Sequence, residues 1–267
     1  MATVPKPSKP EPQVRRAVGA LARGIPPLFY AGRLLSPPPI WREGRIAAEY
    51  LALVRDPVFV GKDVPHGDGR PVLLVPGFLA GDASLSTLAD WLRRMGYYAE
   101  LPGIAFNVRY SEVVMKALTV RLVDVYGWKG RRVTLVGHSR GGILAKVLSH
   151  RHAEMVEQVV TLGSPVADPY DVHPVTMAGV RFAQAWNFVR YGRTADVERR
   201  FLRDLAAEPR VPVTSIYSRS DGIVHWEACL RADMRSIEVH GSHVGLGLNP
   251  EVYKVLARLL PWPARSR

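Results

Sequence analysis

From residue 70 onward, short apolar runs alternate with stretches whose apolar residues recur at helical spacing. The runs centre on 72–75, 133–136, 159–162, 213–217 and 237–239, with a weaker one over 97–101. Each is nearly continuous in apolar character, which predicts strands buried on both faces. Leu85, Leu88, Leu92 and Met95 share one helical face, and Ile143, Leu144, Val147 and Leu148 share another. Asn249-Pro250 is a helix start signal, and it predicts a final helix over 251–260 with Val252, Val255, Leu256, Leu259 and Leu260 turned inward. Strands of this kind interleaved with helices predict an α/β domain, a mainly parallel sheet with helices on both faces.

The pattern differs on either side of that core. Residues 1–13 hold Pro5, Pro7, Pro10 and Pro12 among Lys and Glu, which predicts an extended, disordered tail. Residues 14–60 read as a helical extension, with a short helix over 14–23, a break at Pro37-Pro38-Pro39 and a second helix over 45–54. In the second helix Ile46, Tyr50, Leu53 and Val54 fall on one side. The extension either packs on the core, the default reading, or lies on a membrane surface with its arginines outward. The domain proper is expected over 61–267. Within it the alternation lapses between Pro165 and Val211, a segment with Trp186, Phe188 and Tyr191 followed by a polar helical run over 194–207.

The candidate chemistry sits at the ends of the apolar runs. Gly137-His138-Ser139-Arg140-Gly141 joins a predicted strand to a predicted helix, with a serine at the apex of a sharp turn. A nucleophilic serine needs this setting: small neighbours admit the strained backbone, and the helix N-terminus behind it favours developing negative charge. Asp221 follows the run at 213–217, and His243 follows the run at 237–239. In a parallel sheet the carboxyl ends of strands share one edge, where sites collect. Asp168 is the rival acid, and His240, His138 and His225 are the rival bases. After the run at 72–75 comes Pro76-Gly77-Phe78, a strand-to-loop turn whose Phe78 N–H, with the Arg140 N–H, is positioned to stabilise an oxyanion.

Taken together, Pro76-Gly77-Phe78, Gly137-His138-Ser139-Arg140-Gly141, Ser220-Asp221-Gly222-Ile223-Val224 and Ser242-His243-Val244-Gly245-Leu246 resemble the α/β-hydrolase superfamily, in particular its serine lipase/esterase branch. The resemblance covers roughly residues 68–260. It implies a Ser139, Asp221 and His243 triad that cleaves carboxylic, lipid-like esters through an acyl-enzyme. It also implies that the insertion at about 165–211 forms a small cap, whose aromatics either line an acyl pocket or make the cap's own core. Many relatives carry His-Gly where this chain has Pro76-Gly77, which bears on substrate class more than on the nucleophile. Two other readings stay open: acyl transfer or thioester cleavage on the same residues, and a non-catalytic member of the fold that binds a partner or a membrane.

Composition narrows these readings. The chain has 267 residues, which suits one α/β domain with a large core. Its net charge of +12 admits contact with an anionic membrane, while the lack of a compact basic run argues against nucleic acid. A single cysteine, Cys229, excludes an intramolecular disulfide and fits a reducing compartment, so a cytoplasmic location is expected, peripheral to a membrane if the extension binds one. Arg23 and Pro26-Pro27 interrupt the apolar stretch near the N-terminus, which speaks against a signal peptide. No metal-ligand spacing and no dinucleotide fingerprint are present, so neither a metal nor a cofactor is expected; the expected partner is a small-molecule ester.

Overall fold

The computed structural model describes residues 37–192 and 195–261. The tail at 1–13 and the helix expected over 14–23 lie outside the described residues. Six parallel strands form one sheet: β1 (Pro71–Val75), β2 (Tyr98–Glu100), β3 (Val133–His138), β4 (Val156–Leu162), β5 (Val213–Tyr217) and β6 (Arg235–Glu238). Their spatial order is β2-β1-β3-β4-β5-β6. The order reverses at β1, with β2 on one side of it and β3 on the other. The crevice outside the carboxyl ends of β1 and β3 is therefore the topological switch point, where ligands bind in open α/β sheets.

Seven helices are present among the described residues: α1 (Ile46–Arg55), α2 (Ser86–Arg94), α3 (Ser111–Lys129), α4 (Arg140–Arg151), α5 (Pro174–Tyr191), α6 (Ala195–Ala206) and α7 (Pro250–Leu259). Side chains alternate across each strand, so β1 sends Val72 and Leu74 to one face and Leu73 and Val75 to the other. On the first face they meet Leu53 of α1, Leu88 and Trp91 of α2, and Val252 and Leu256 of α7. On the second they meet Leu118 and Leu122 of α3, Leu144 and Leu148 of α4, and Phe201 and Leu205 of α6. Both faces are covered, which is why the strand sequences read as nearly continuous apolar runs. The two edge strands, β2 and β6, are short, and β6 ends its row with the charged pair Arg235 and Glu238 at its termini, which blunts pairing with another chain.

Several elements depart from the sequence reading. The helix α3 falls in a stretch whose pattern predicts no element. Its apolar residues lie all around the axis, so no single stripe announces it: Met115, Leu118 and Leu122 are buried while Val120, Val123 and Trp128 are exposed. The segment at 165–211 holds two helices with different surroundings. The helix α6 closes the second core layer, held there by Phe201 and Leu205, and only α5 contributes to neither layer. In α1 the inward positions belong to Glu49 and Leu53, whereas Tyr50, Leu51 and Val54 are exposed. The reason is polar: Glu49 faces two donors of Ser242 that a hydrocarbon side chain would leave unpaired.

Buried polar groups tie layers together. Lys146 of α4 is 1% exposed and donates to the Leu205 and Ala207 carbonyls at 2.6 and 2.8 Å, closing the end of α6. Burial brings its pKa down to about 7. Cys229 ends a 3-10 turn (Trp226–Cys229) and is 1% exposed; burial pushes its thiol well up.

Candidate active site

Ser139 stands between β3 and α4 with φ 53° and ψ −125°, a left-handed conformation that a side chain rarely adopts. The strain persists because the surroundings leave no alternative. A Cβ on Gly137 would lie 2.5 Å from the Gly141 carbonyl carbon, and one on Gly141 would overlap the Val75 carbonyl oxygen. The helix can pack this close to the end of β1 only through these two glycines. The Ser139 N–H donates to the Leu162 carbonyl at 2.8 Å, which fixes the turn against the end of β4.

Asp221 and His243 are brought together. Both are buried, at 4% and 3% exposure, and His243 Nδ1 donates to Asp221 Oδ2 at 2.6 Å. The second carboxylate oxygen, Oδ1, accepts the N–H groups of Ile223 and Val224 at 2.8 and 2.7 Å, which holds the carboxyl plane. With Nδ1 committed to Asp221, Nε2 is the nitrogen left to exchange a proton. Burial pulls the imidazole pKa down, but the Asp221 charge, its hydrogen bond and the charge of Glu43 outweigh burial, and the net shift is upward. The pair adjoins the serine turn through Gly163, which follows Leu162. A Cβ there would lie 3.1 Å from His243 Nδ1 and 3.2 Å from Asp221 Oδ2.

The rivals have other employment. His138, buried beside Ser139, donates from Nε2 to the His243 carbonyl at 2.8 Å; burial brings its pKa down to about 4, so it is neutral and positions the His243 backbone. The His240 side chain is largely exposed. His225 stands beside Asp171. The Asp168 carboxylate accepts from the Tyr170 N–H in a local turn.

Phe78 follows β1 as expected, and the loop that carries it is pinned by a residue the motifs did not single out. Asn107 is fully buried. Its Nδ2 donates to the Pro76 carbonyl at 2.8 Å and its N–H to the Ala80 carbonyl at 2.9 Å, gripping both ends of the Phe78 loop. The Arg140 side chain completes the tie, donating to the Asn107 carbonyl at 2.8 Å, to Asn107 Oδ1 at 3.0 Å and to the Arg109 carbonyl at 2.6 Å. Burial brings the guanidinium down to about 10, which leaves it charged at neutral pH. The two expected oxyanion donors are thereby linked through one buried asparagine. Its only sequence signal is an isolated Asn in a loop, which pattern reading passes over.

Comparison with solved structures identifies the architecture. The mature form of the lipase BlEst2 of Bacillus licheniformis superposes with a TM-score of 0.55 at 18% identity, covering 74% of this chain and 94% of that one. The chain has the α/β-hydrolase fold. A monoacylglycerol lipase of Paleococcus ferrophilus shares this α/β-hydrolase fold with a TM-score of 0.51 at 15% identity, covering 72% of this chain and 95% of that one. MGS-MChE2, an α/β-hydrolase from the metagenome of Mar Chica lagoon sediments, matches at 0.50 and 20% identity over 72% and 90% of the two chains. The family described as the PGAP1-like alpha/beta domain matches residues 107–195, which run from the Asn107 loop through the serine turn and past α5 to the first residue of α6. No curated protein sequence matches the chain. Within the α/β-hydrolase fold, the ends of β1, β3, β5 and β6 carry the four elements that the sequence singled out. Among the described residues no cluster of His, Cys, Asp and Glu is arranged to hold a metal ion.

Proposed function

We propose that the protein is a serine hydrolase that cleaves carboxylic esters through an acyl-enzyme. The observation that carries this reading is the buried 2.6 Å bond between Asp221 and His243 beside a serine held at positive φ. Ser139 Oγ attacks the ester carbonyl while its proton passes to His243 Nε2. Asp221 stabilises the imidazolium that forms. The Phe78 and Arg140 N–H groups receive the oxyanion, and the proton then leaves with the alcohol. Water, activated by the same imidazole, releases the acid and restores Ser139.

The exposed face of α5 favours a lipid-like ester at an anionic lipid surface. Val175, Phe182, Trp186 and Val189 recur at i, i+7, i+11 and i+14, all on one stripe, and all are exposed. The exposed arginines Arg181 and Arg190 flank the stripe, and α5 contains no acidic residue. An apolar stripe bordered by arginines is the pattern of a helix that lies in a membrane interface. Gly179, on the same helix, faces Phe78. Among the described residues no helix is long and apolar enough to cross a membrane.

Fluorophosphonate labelling and a panel of short- and long-chain p-nitrophenyl esters test the reading. An adduct on Ser139, with turnover abolished in Ser139→Ala, is the expected result. Turnover unchanged in that variant overturns it. Partition of product between water and added alcohol separates hydrolysis from acyl transfer.

A further inference from the structure

Two carboxylates of the N-terminal segment reach the site from outside the sheet. Glu43, on the 3-10 turn Ile40–Arg45, accepts three backbone N–H groups: Gly222 at 2.9 Å and His243 at 2.8 Å on Oε1, and Val244 at 2.9 Å on Oε2. Gly222 belongs to the loop that carries Asp221, and the other two to the loop that carries His243. Glu49, three residues into α1, accepts the Ser242 N–H at 2.7 Å and the Ser242 Oγ–H at 2.6 Å, immediately before His243. Space is left for both carboxylates. A Cβ on Gly222 would stand 2.8 Å from Glu43 Oε1, and one on Gly245 would overlap Glu49 Oε2.

We propose that Glu43 is a positioning residue: by bridging the Gly222 and His243 N–H groups it holds Asp221 and His243 in register for proton transfer, with Glu49 seating Ser242 behind it. The proposal rests on the ester-hydrolase reading above. Its physical basis is that the two loops leave separate strands, β5 and β6, and one carboxylate spans both. Hydrogen bonds to an ionised acceptor are about twice as strong as neutral ones, so this bridge is an effective brace. Misplacement of reacting groups by about 1 Å costs up to ~10²-fold in rate.

Glu43 also acts through its charge. The titratable groups facing His243 are Asp221 from the loop after β5, Glu43 from the 3-10 turn and His138 from β3, with Glu49 one residue away through Ser242. His138 is neutral, so Asp221 and Glu43 set the field, and both favour the imidazolium against its burial. A base must be neutral to accept the serine proton. Removing the Glu43 charge lowers the His243 pKa, and the acid limb of the rate profile moves to lower pH.

The test compares kcat, KM and the pH dependence of kcat/KM on a p-nitrophenyl ester for the full chain and three variants, with thermal melts alongside. Glu43→Gln keeps the acceptor for Gly222 and His243 and removes the charge. Its acid limb is expected to move down by several tenths of a pH unit, with kcat reduced about tenfold and KM little changed. Glu43→Asp restores the limb. A Cβ on Gly222 also meets the Pro39 carbonyl oxygen at 2.7 Å, so Gly222→Ala pushes the Pro39–Glu43 segment off the loop without neutralising the carboxylate; kcat falls while the limb moves less than in Glu43→Gln, and this variant carries the test of bracing should Glu43→Gln fold poorly. A limb unmoved in Glu43→Gln, or wild-type kcat in Gly222→Ala, overturns the proposal even if the melts fall. Ser139→Ala, run in parallel, keeps the two claims apart: its full activity removes the hydrolase reading, whereas its inactivity beside an unmoved limb removes the role of Glu43 alone.

Discussion

At the residue scale, the serine turn and the Asp221–His243 pair were legible in position because each places a polar residue type at a strand end. Asn107 was not, because nothing about an isolated loop asparagine distinguishes a buried brace from a solvated turn. Two substitutions separate these roles. Asp221→Asn keeps an Oδ1 acceptor for Ile223 and Val224 but turns an amide donor toward His243 Nδ1. The ring is then held with its proton on Nε2, the wrong tautomer for a base, and kcat is expected to fall about 10³–10⁴-fold with the fold intact by circular dichroism. Asn107→Leu leaves the Pro76 carbonyl without its buried donor and takes one side-chain acceptor from the Arg140 guanidinium, which keeps the backbone carbonyls of residues 107 and 109. It is expected to cost about 1–3 kcal/mol by urea denaturation and to lower kcat more than it raises KM, since the loosened loop carries the proposed oxyanion donor. For the wild type, the upward shift of His243 places the acid limb of kcat/KM above the ordinary histidine value of about 6.5, activity being lost as pH falls through it.

At the element scale, strands were easier to read than helices. A strand buried on both faces writes itself as a mostly apolar run: β1 does so without a break, while β3, β4 and β5 do so with polar residues, Gln158 among them, between the apolar ones. The helix α1 misled because its inward side is chosen by Ser242 rather than by hydrophobicity, and α3 went unseen because its apolar residues encircle it. The polar sequence of α6 concealed a core helix, since Phe201 and Leu205 reach the interior amid charged neighbours and Lys146 closes its end from α4. Lys146→Met removes both donors to the Leu205 and Ala207 carbonyls and is expected to lower stability by about 1–3 kcal/mol at neutral pH. The sign of its pH dependence follows from the lowered pKa. Above about 7 the folded lysine sheds its proton while the unfolded one holds it up to ~10.4, so the Lys146 contribution grows as pH rises. Lys146→Met abolishes that slope in denaturation midpoints measured between neutral and mildly alkaline pH.

At the scale of the whole molecule, the sheet order decides where chemistry can occur. Reversal at β1 opens one crevice, and the Phe78 loop, the serine turn, Asp221 and His243 all lie along the edge that bounds it. Over that edge stands α5 with its exposed stripe, and the net charge of +12 gives an anionic surface reason to approach. Sedimentation with vesicles of phosphatidylserine and phosphatidylcholine is expected to recover the wild type at low salt. The double variant Phe182→Asp, Trp186→Asp should bind at least about tenfold more weakly, because burying each aromatic side chain is worth roughly 1.5–3 kcal/mol. Unchanged sedimentation of that variant would move the contact away from α5.

The lone thiol at Cys229 turns the molecule into its own opening gauge. Buried at the end of the 3-10 turn after β5, with its thiol pushed up by that burial, it is shielded from alkylating reagents for as long as that region stays shut. The rate at which iodoacetamide consumes it in the native protein therefore counts excursions beside the Asp221 loop. No background from a second sulfhydryl interferes, and a surface cysteine introduced elsewhere can be labelled selectively.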